Sequence, residues 1–393
     1  MYLPVIDETA CVRCGLCASV CPGLGHIYEP ASSAEKTVTG TVLASYNAWS
    51  RDPELRHVSA SGGVVSTLIR ELLQKGAYDG AFCLDSYDYR SQLKTRLYTA
   101  EEFAKPEDTA APKSRYLPVS HEDAVFYMKQ NRDARLILVG TSCALRGLCA
   151  AIEKLKLNRE NYLLIGLFCD KVFNYNVIAY WQDRYCSGAA LTALHFKNKE
   201  SGGWPGDMKF FPEGQDPFYV PLSDRARAKA YFMPERCLYC VDKLNVRADI
   251  SLGDNYTGQN ESELGSNSVI IRTERGVAAW AAAEDQLEIR MIDIGDIQKA
   301  QAIDLRLDNL YFGDFRAAQL GKDSDWNRGI PREKESADLR AAWKKSLKKL
   351  QAGASYDSDP AALAKQIRKD NKKPNVLIRM LRRCRRIARR VMK

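Results

Sequence analysis

The run "CVRCGLCASVCP", from Cys11 to Pro22, packs four cysteines and a proline into twelve residues near the start of the chain. Its spacing is C-x2-C-x2-C-x3-C-P. Thiolates separated by two residues on a tight loop can each reach a different iron corner of one cube. Gly15 permits the sharp backbone, and Pro22 stops the loop and turns the chain away. Zinc usually takes two separated cysteine pairs or histidines, and the chain has only four His. The spacing therefore points to a [4Fe–4S] cluster on Cys11, Cys14, Cys17 and Cys21.

In two-cluster bacterial ferredoxins the fourth cysteine of such a run ligates the other cluster, whereas here the run occurs once. Either all four residues hold one cluster, or Cys21 is exchanged with a distant cysteine. The distant candidates are Cys143 in the turn after "RLILVG", Cys169 at the end of "YLLIGLFC", and Cys237 and Cys240 in "RCLYC". Cys143 and Cys169 sit at the C-terminal ends of adjacent predicted parallel strands, where open α/β sheets place their sites. Together the four can complete a second cluster. Buried cysteines are also common and inert, a reading that suits Cys83, Cys149 and Cys186 and stands as the alternative for the other four.

Twelve cysteines without a secretory signal favour metal or redox chemistry over disulfides, with a cytoplasmic location as the default. No run of about 18 apolar residues occurs, so no membrane span is expected. The net charge of +9 is concentrated at one end: residues 371–393 carry ten Lys and Arg and no acid, which leaves the body near neutral. A general nucleic-acid-binding surface is not indicated. Within that end, "VLIRMLRRCRRIARRVMK" has apolar residues at helical spacing and arginines on the other side. Such a helix over 376–393 can lie on an anionic membrane surface, dock on a partner or on its own body, or bind RNA non-specifically.

"SASGGVVSTLIRELLQKG" reads as a glycine turn feeding a helix, with Val64, Val65, Leu68, Ile69, Leu72 and Leu73 on one face. "YDGAFCL", "RLILVG" and "YLLIGLFC" read as strands, and "HEDAVFYMKQN" as a helix. The alternation implies an α/β core with a largely parallel sheet. The expected organisation is a cluster segment (1–30), an α/β domain (55–187), a smaller mixed α+β lobe (188–315), a charged linking segment (316–375) and the basic helix (376–393). "ADISLGD" and "SVIIRT" are assigned to the smaller lobe with "LTALHFK", "DMKFF" and "FYVPL".

A chain of this length exceeds what a cluster carrier needs, so a two-electron cofactor is sought. No G-x-G-x-x-G follows a strand, which removes a Rossmann dinucleotide fingerprint. The "SASGG" turn at a helix start can receive a phosphate through its backbone N–H groups and the helix dipole; glycine–serine turns also open many helices harmlessly.

The ordered motifs "SASGG", "APKSRYLP", "VGTSCALRGL", "IGLFCDKVF", "CLYCVDKLNVRADISLGD" and "SVIIRTERG" resemble the beta-subunit family of deazaflavin-coenzyme hydrogenases and dehydrogenases over about residues 5–285. That family is itself similar to the plant hydroxymethyl-chlorophyll reductases. The resemblance implies an iron–sulfur flavoprotein with a flavin-binding core, FAD held non-covalently and [4Fe–4S] clusters, two in the full reading and one at the least. It implies that Ser61, Gly62, Gly63, Lys113 and Thr141 approach the FAD. It places Asp249, Gly253 and Asp254 in a motif near the cofactor and second cluster. Ser142 departs from the family's Gly-Thr-Pro-Cys turn, which predicts a looser turn before Cys143.

The expected activity is electron movement between the clusters and a small organic two-electron substrate through FAD, fed by reduced ferredoxin or a similar donor. An electron-transfer subunit without its own substrate, and a non-redox scaffold in surface-polysaccharide synthesis, are the alternatives. No proton donor is evident; His57 before the "SASGG" turn reads as an exposed bystander.

Overall fold

The apolar runs of the sequence assemble into two sheets in the computed structural model, which describes residues 6–24, 28, 31–85, 92–109, 111–259, 262–321, 329–331, 337–356 and 360–370. The basic stretch 376–393 lies outside the described residues. The strands of the first half are β1 (Ala44–Ser50), β2 (Gly80–Leu84), β3 (Leu93–Tyr98), β4 (Val119–Ser120), β5 (Leu136–Thr141) and β6 (Tyr162–Leu167). Those of the second half are β7 (Leu191–Asn198), β8 (Asp207–Pro212), β9 (Phe218–Val220), β10 (Ile250–Asp254), β11 (Asn267–Ile271) and β12 (Leu287–Met291).

The main sheet has nine strands in the order β12-β1-β11-β10-β6-β5-β2-β3-β4. Its centre, β2-β5-β6-β10, is parallel, with Thr141 opposite Leu167 and Leu252 opposite Leu167 on the other side. These strands are near-continuous apolar runs because helices cover both faces. Val64, Leu68, Ile69, Leu72 and Leu73 of the helix Val64–Gln74 pack with Ile137, Leu163 and Ile165 on one face. Leu145, Leu148 and Ile152 of the helix Ser142–Lys154 pack with Leu136, Leu138 and Leu164 on the other. Val65, placed by spacing on the inner face of its helix, is half-buried at the edge.

The structure divides the later strands differently from the sequence reading. β7, β8 and β9 alone form a small antiparallel sheet, whereas "ADISLGD" (β10) and "SVIIRT" (β11) return to the main sheet. Strand pattern reports burial and period, not which sheet a strand joins, so the separate sheet that starts just after residue 188 ends with β9 and does not extend to β10 and β11. The small sheet shares an aromatic core of Phe173, Trp181, Phe196 and Phe210 with the helices Asn176–Tyr185 and Leu222–Phe232.

The boundary expected near 315 falls within a helix. One helix runs through it, Asp308–Leu320, and ends at Gly321, which takes the left-handed conformation of a helix C-terminus. The charged segment beyond supplies the helices Ala337–Ala354 and Pro360–Asp370. Their Trp343 and Leu350 pack with Met233, Leu238 and Phe312, while Tyr356, Leu363 and Ile367 join the small lobe's core. Among the described residues no helix is long and apolar enough to cross a membrane.

Candidate functional site

The opening loop needs little beyond its own backbone. Arg13 and Gly15 take φ of 53° and 71°, and Gly15 leads directly into the short helix Leu16–Val20. Cys14, Cys17 and Cys21 are exposed and Cys11 is half-buried. The Cys21 sulfur accepts the Gly23 N–H at 3.3 Å. Val20 and Pro22 lie against Gly147 of the helix Ser142–Lys154, and the Arg236 guanidinium donates to the Pro22 carbonyl. The loop thus docks on the helix that carries Cys143 and on the residue next to Cys237.

The four distant cysteines come from three places. Cys143 lies in the first turn of its helix, where the unsatisfied N–H groups favour negative charge. Cys169 follows β6 by two residues, and Cys237 and Cys240 flank the end of a 3₁₀ turn, Glu235–Leu238. All four are half-buried. They are near enough that Cys143, Cys237 and Cys240 add to burial in pushing the Cys169 thiol well above its ordinary pKa. Burial likewise takes Cys237 to about 11, with Cys240 and Cys143 pushing the same way. A bound metal must displace those protons and supply the compensating charge. Arg306 stands beside Cys169, Cys237 and Cys240, and Lys171 and Lys243 are close to the group. The donor set, four sulfurs framed by cations, fits an anionic iron–sulfur cluster. No three Cys, His, Asp or Glu among the described residues converge on a single metal ion; a cubane spaces its thiolates more widely than one tetrahedral ion does.

Hydrogen bonds from residues that the sequence reading did not single out hold this arrangement. Arg146, 9% exposed, donates to Asp242 at 2.9 Å and to the Tyr28 hydroxyl at 2.6 Å. Asn245 ties the ends of β5 and β6 through Gly140 O at 3.0 Å and Leu167 O at 3.4 Å. Ser142 does not loosen the turn: its hydroxyl donates to the Asp242 carbonyl at 2.7 Å and replaces a proline's stiffness with a tether.

A second group of charged side chains, mostly basic, gathers around Asp254 and Lys199. A Cβ on Gly253 would stand 2.5 Å from Phe168, so only glycine lets the two backbones approach this closely. Asp254, the next residue, pairs with buried Lys197 and accepts from Trp204 Nε1 at 3.3 Å and the Tyr256 hydroxyl at 3.1 Å. Lys199 Nζ donates to Ser61 O at 2.7 Å and to Arg56 O at 2.5 Å. Burial brings Lys199 down to about 7, with Lys113, Arg56 and Lys197 adding repulsion, and burial brings Lys113 to about 8. Arg115 and Lys209 also face Lys113, so six basic side chains meet the carboxylates of Asp254 and Glu200.

The "SASGG" turn lies beside these lysines. Ala60 N–H donates to Pro112 O at 2.9 Å, and the Ser61 hydroxyl to Ser266 O at 2.7 Å. The buried hydroxyl of Ser59 and Oδ1 of Asn267, which lies against Gly62, have no hydrogen-bond partner in the protein. The orphaned Ser59 hydroxyl beside Gly63, the residue that opens a helix, is a free donor faced by surplus basic groups and fits a phosphate-bearing cofactor, whereas the Asn267 oxygen can only accept.

The structure therefore brings Ser61, Lys113 and Asp254 to one charged cluster around Lys199, with Gly62 and Gly63 next to Ser61 and Gly253 next to Asp254. Thr141 is apart from them, 3.4 Å from the Cys143 sulfur. Asp249 is removed altogether: at the opposite end of β10 it accepts from Arg159, Thr273 and the Leu164 N–H and acts as a lock between strands. His57 is exposed on the helix Pro53–Val58. Lys197 and Lys199, which the sequence reading missed, carried one signal, the "KNKE" charge alternation at the end of an apolar strand.

Known proteins are similar to this chain. The family model for the coenzyme F420 hydrogenase/dehydrogenase beta subunit matches in two parts, the N-terminal part over residues 45–125 and the C-terminal part over 133–296, and a 4Fe-4S binding domain matches residues 4–23. One subunit of the F(420)H(2) dehydrogenase of Methanosarcina mazei is 24% identical over 72% of this chain and 85% of its own length. The coenzyme F420-dependent sulfite reductase of Methanocaldococcus jannaschii is 23% identical over 77% of this chain, which spans half of that relative. A chain of the F420-reducing [NiFe] hydrogenase complex from Methanosarcina barkeri shares the fold, with a TM-score of 0.54 and 20% identity over 73% of this chain and 97% of that one. With two consecutive family matches covering more than half of its length and a 4Fe-4S segment before them, the chain belongs to the coenzyme F420 hydrogenase/dehydrogenase beta-subunit family and is an iron–sulfur electron-transfer protein of the oxidoreductase class.

Proposed function

We propose that the protein is an iron–sulfur flavoprotein that moves electrons between two [4Fe–4S] clusters and an organic two-electron substrate through FAD. The observation that carries this reading is the docking of the opening loop on the helix of Cys143 and beside Cys237, which makes neighbours of the two cysteine sets. Cys11, Cys14, Cys17 and Cys21 hold the first cluster, and Cys143, Cys169, Cys237 and Cys240 the second. FAD, when bound, supplies the exchange between one-electron and two-electron transfer. The backbone of Ser61, Gly62 and Gly63 and the ammonium groups of Lys199 and Lys113 hold its phosphates. The Trp204–Tyr256 pair, with ring centroids 5.2 Å apart, covers the Asp254 carboxylate and limits its access to water. Thr141 orients the Cys143 sulfur.

The exposed sulfurs of Cys14, Cys17 and Cys21 suit contact with a one-electron donor, either reduced ferredoxin or a partner subunit of the kind named among the relatives. Iron, acid-labile sulfide and flavin per chain, measured on protein purified without oxygen, test the reading. About eight irons and one FAD are expected. About four irons with no flavin, even after FAD is offered, would reduce the chain to a single-cluster relay.

A further inference from the structure

The second cysteine set is held in part by residues that follow the last position matched by the family model, residue 296. Arg306 ends the short helix Ile303–Arg306, and Asn309 lies in the first turn of Asp308–Leu320. Asn309 Nδ2 donates to Cys240 O at 2.7 Å and to Cys237 O at 3.4 Å. Arg306 Nη1 donates to Asp170 O at 2.6 Å and Nη2 to Cys169 O at 3.4 Å. These two side chains thus fix the backbone of three of the four cysteines.

Arg306 does more than bridge. It is 6% exposed, a permanent cation facing Cys240, Cys169 and Cys237, and its buried Nε–H has no acceptor in the protein. Leaving a charged donor buried and unmatched is costly, and a sulfur beside it would supply the acceptor. The Asp170 carboxylate, 3.4 Å from Nη1, also pairs with Lys229, so it neutralises the guanidinium only partly. Charge and hydrogen bonds to sulfur are among the factors that set the potential of an iron–sulfur cluster. Reduction adds one electron with no bond made or broken, so a fixed cation and an N–H donor stabilise the reduced form more than the oxidised one.

We propose that Arg306 donates its Nε–H to a sulfur of the cluster held by Cys143, Cys169, Cys237 and Cys240 and raises the reduction potential of that cluster. The inference rests on the two-cluster reading above. Its test is a redox titration of the full-length protein, purified without oxygen and followed by the electron paramagnetic resonance signals of the two clusters. Arg306→Gln is expected to make the second midpoint more negative by about 59 mV, a tenfold change in the reduced-to-oxidised ratio, while the first midpoint stays in place. Arg306→Lys, which keeps the charge and loses the Nε–H, should give a smaller shift of the same sign. Both midpoints unchanged in Arg306→Gln with iron content intact, or equal shifts in the two clusters, would overturn the proposal and leave the two-cluster reading standing. If Arg306→Gln loses the second cluster, Arg306→Lys decides: a wild-type midpoint refutes the proposal and a lower one supports it. A wild-type protein with a single cluster would remove both.

Discussion

The two cysteine sets use one ligand type and are built in opposite ways. The opening loop collects its four thiols within eleven consecutive residues, exposes three of them and asks the backbone for little more than left-handed turns at Arg13 and Gly15. The distant set draws on the ends of two parallel strands and a 3₁₀ turn. It is half-buried and is held by a buried ion pair, a bridging asparagine and an arginine from beyond the matched domains. A local motif can be occupied or empty with modest consequence for the rest of the chain. A site assembled from distant segments shares its stability with the fold, because the same residues that present the sulfurs also join the sheet to the helices around it.

That contrast can be broken most directly at the sulfurs. Cys17→Ser should lose iron from the opening loop and leave the thermal unfolding of the remainder nearly unchanged. Cys169→Ser should lose iron and also destabilise the fold, by more than about 5 kcal/mol relative to the loaded protein. Iron analysis with calorimetry separates the two, and equal destabilisation by both variants would sink the distinction. A smaller effect is expected at the ion pair. Asp242→Ala strands the buried guanidinium of Arg146 and should cost about 3 kcal/mol in denaturant unfolding. A loss below about 1 kcal/mol would mean that the pair does not hold the second site. The smallest effects lie at glycines. Gly253→Ala forces a methyl group against Phe168 and should cost about 2 kcal/mol. Gly15→Ala meets no atom within 4 Å and carries only the strain of a φ of 71°, about 1 kcal/mol. The reverse order would show that the opening loop, and not the distant site, is the tightly packed one.

Much of the site was legible where chemistry depends on spacing along the chain. The opening motif could be read directly, as could the amphipathic helix after "SASGG" and the placement of Cys143 and Cys169 at the ends of strands that prove to be paired neighbours. The assignment of "ADISLGD" and "SVIIRT" to a separate lobe went astray because a strand's pattern encodes which face is buried and not which strand lies beside it. Asp249 and Asp254 are both acids of one short motif, yet alternation and strand length send one to a structural lock and the other to the buried Lys197. Lys197 and Lys199, not singled out from the sequence, are buried, since the Lys197 ammonium finds Asp254 and that of Lys199 two carbonyls in the interior.

By itself the sequence determined the ligand chemistry of the opening loop, the α/β character of the core and the family to which the chain belongs, because each of these is written in spacing and order. Only the tertiary structure decided that the cysteine loop rests on the helix of Cys143, that Arg306 reaches Cys169 across more than a hundred residues, and that six basic side chains face two carboxylates beside the glycine turn. The physical reason is that burial, charge and hydrogen bonding act through space, and segments distant in the chain become neighbours only when the apolar faces of the sheet have closed on their helices.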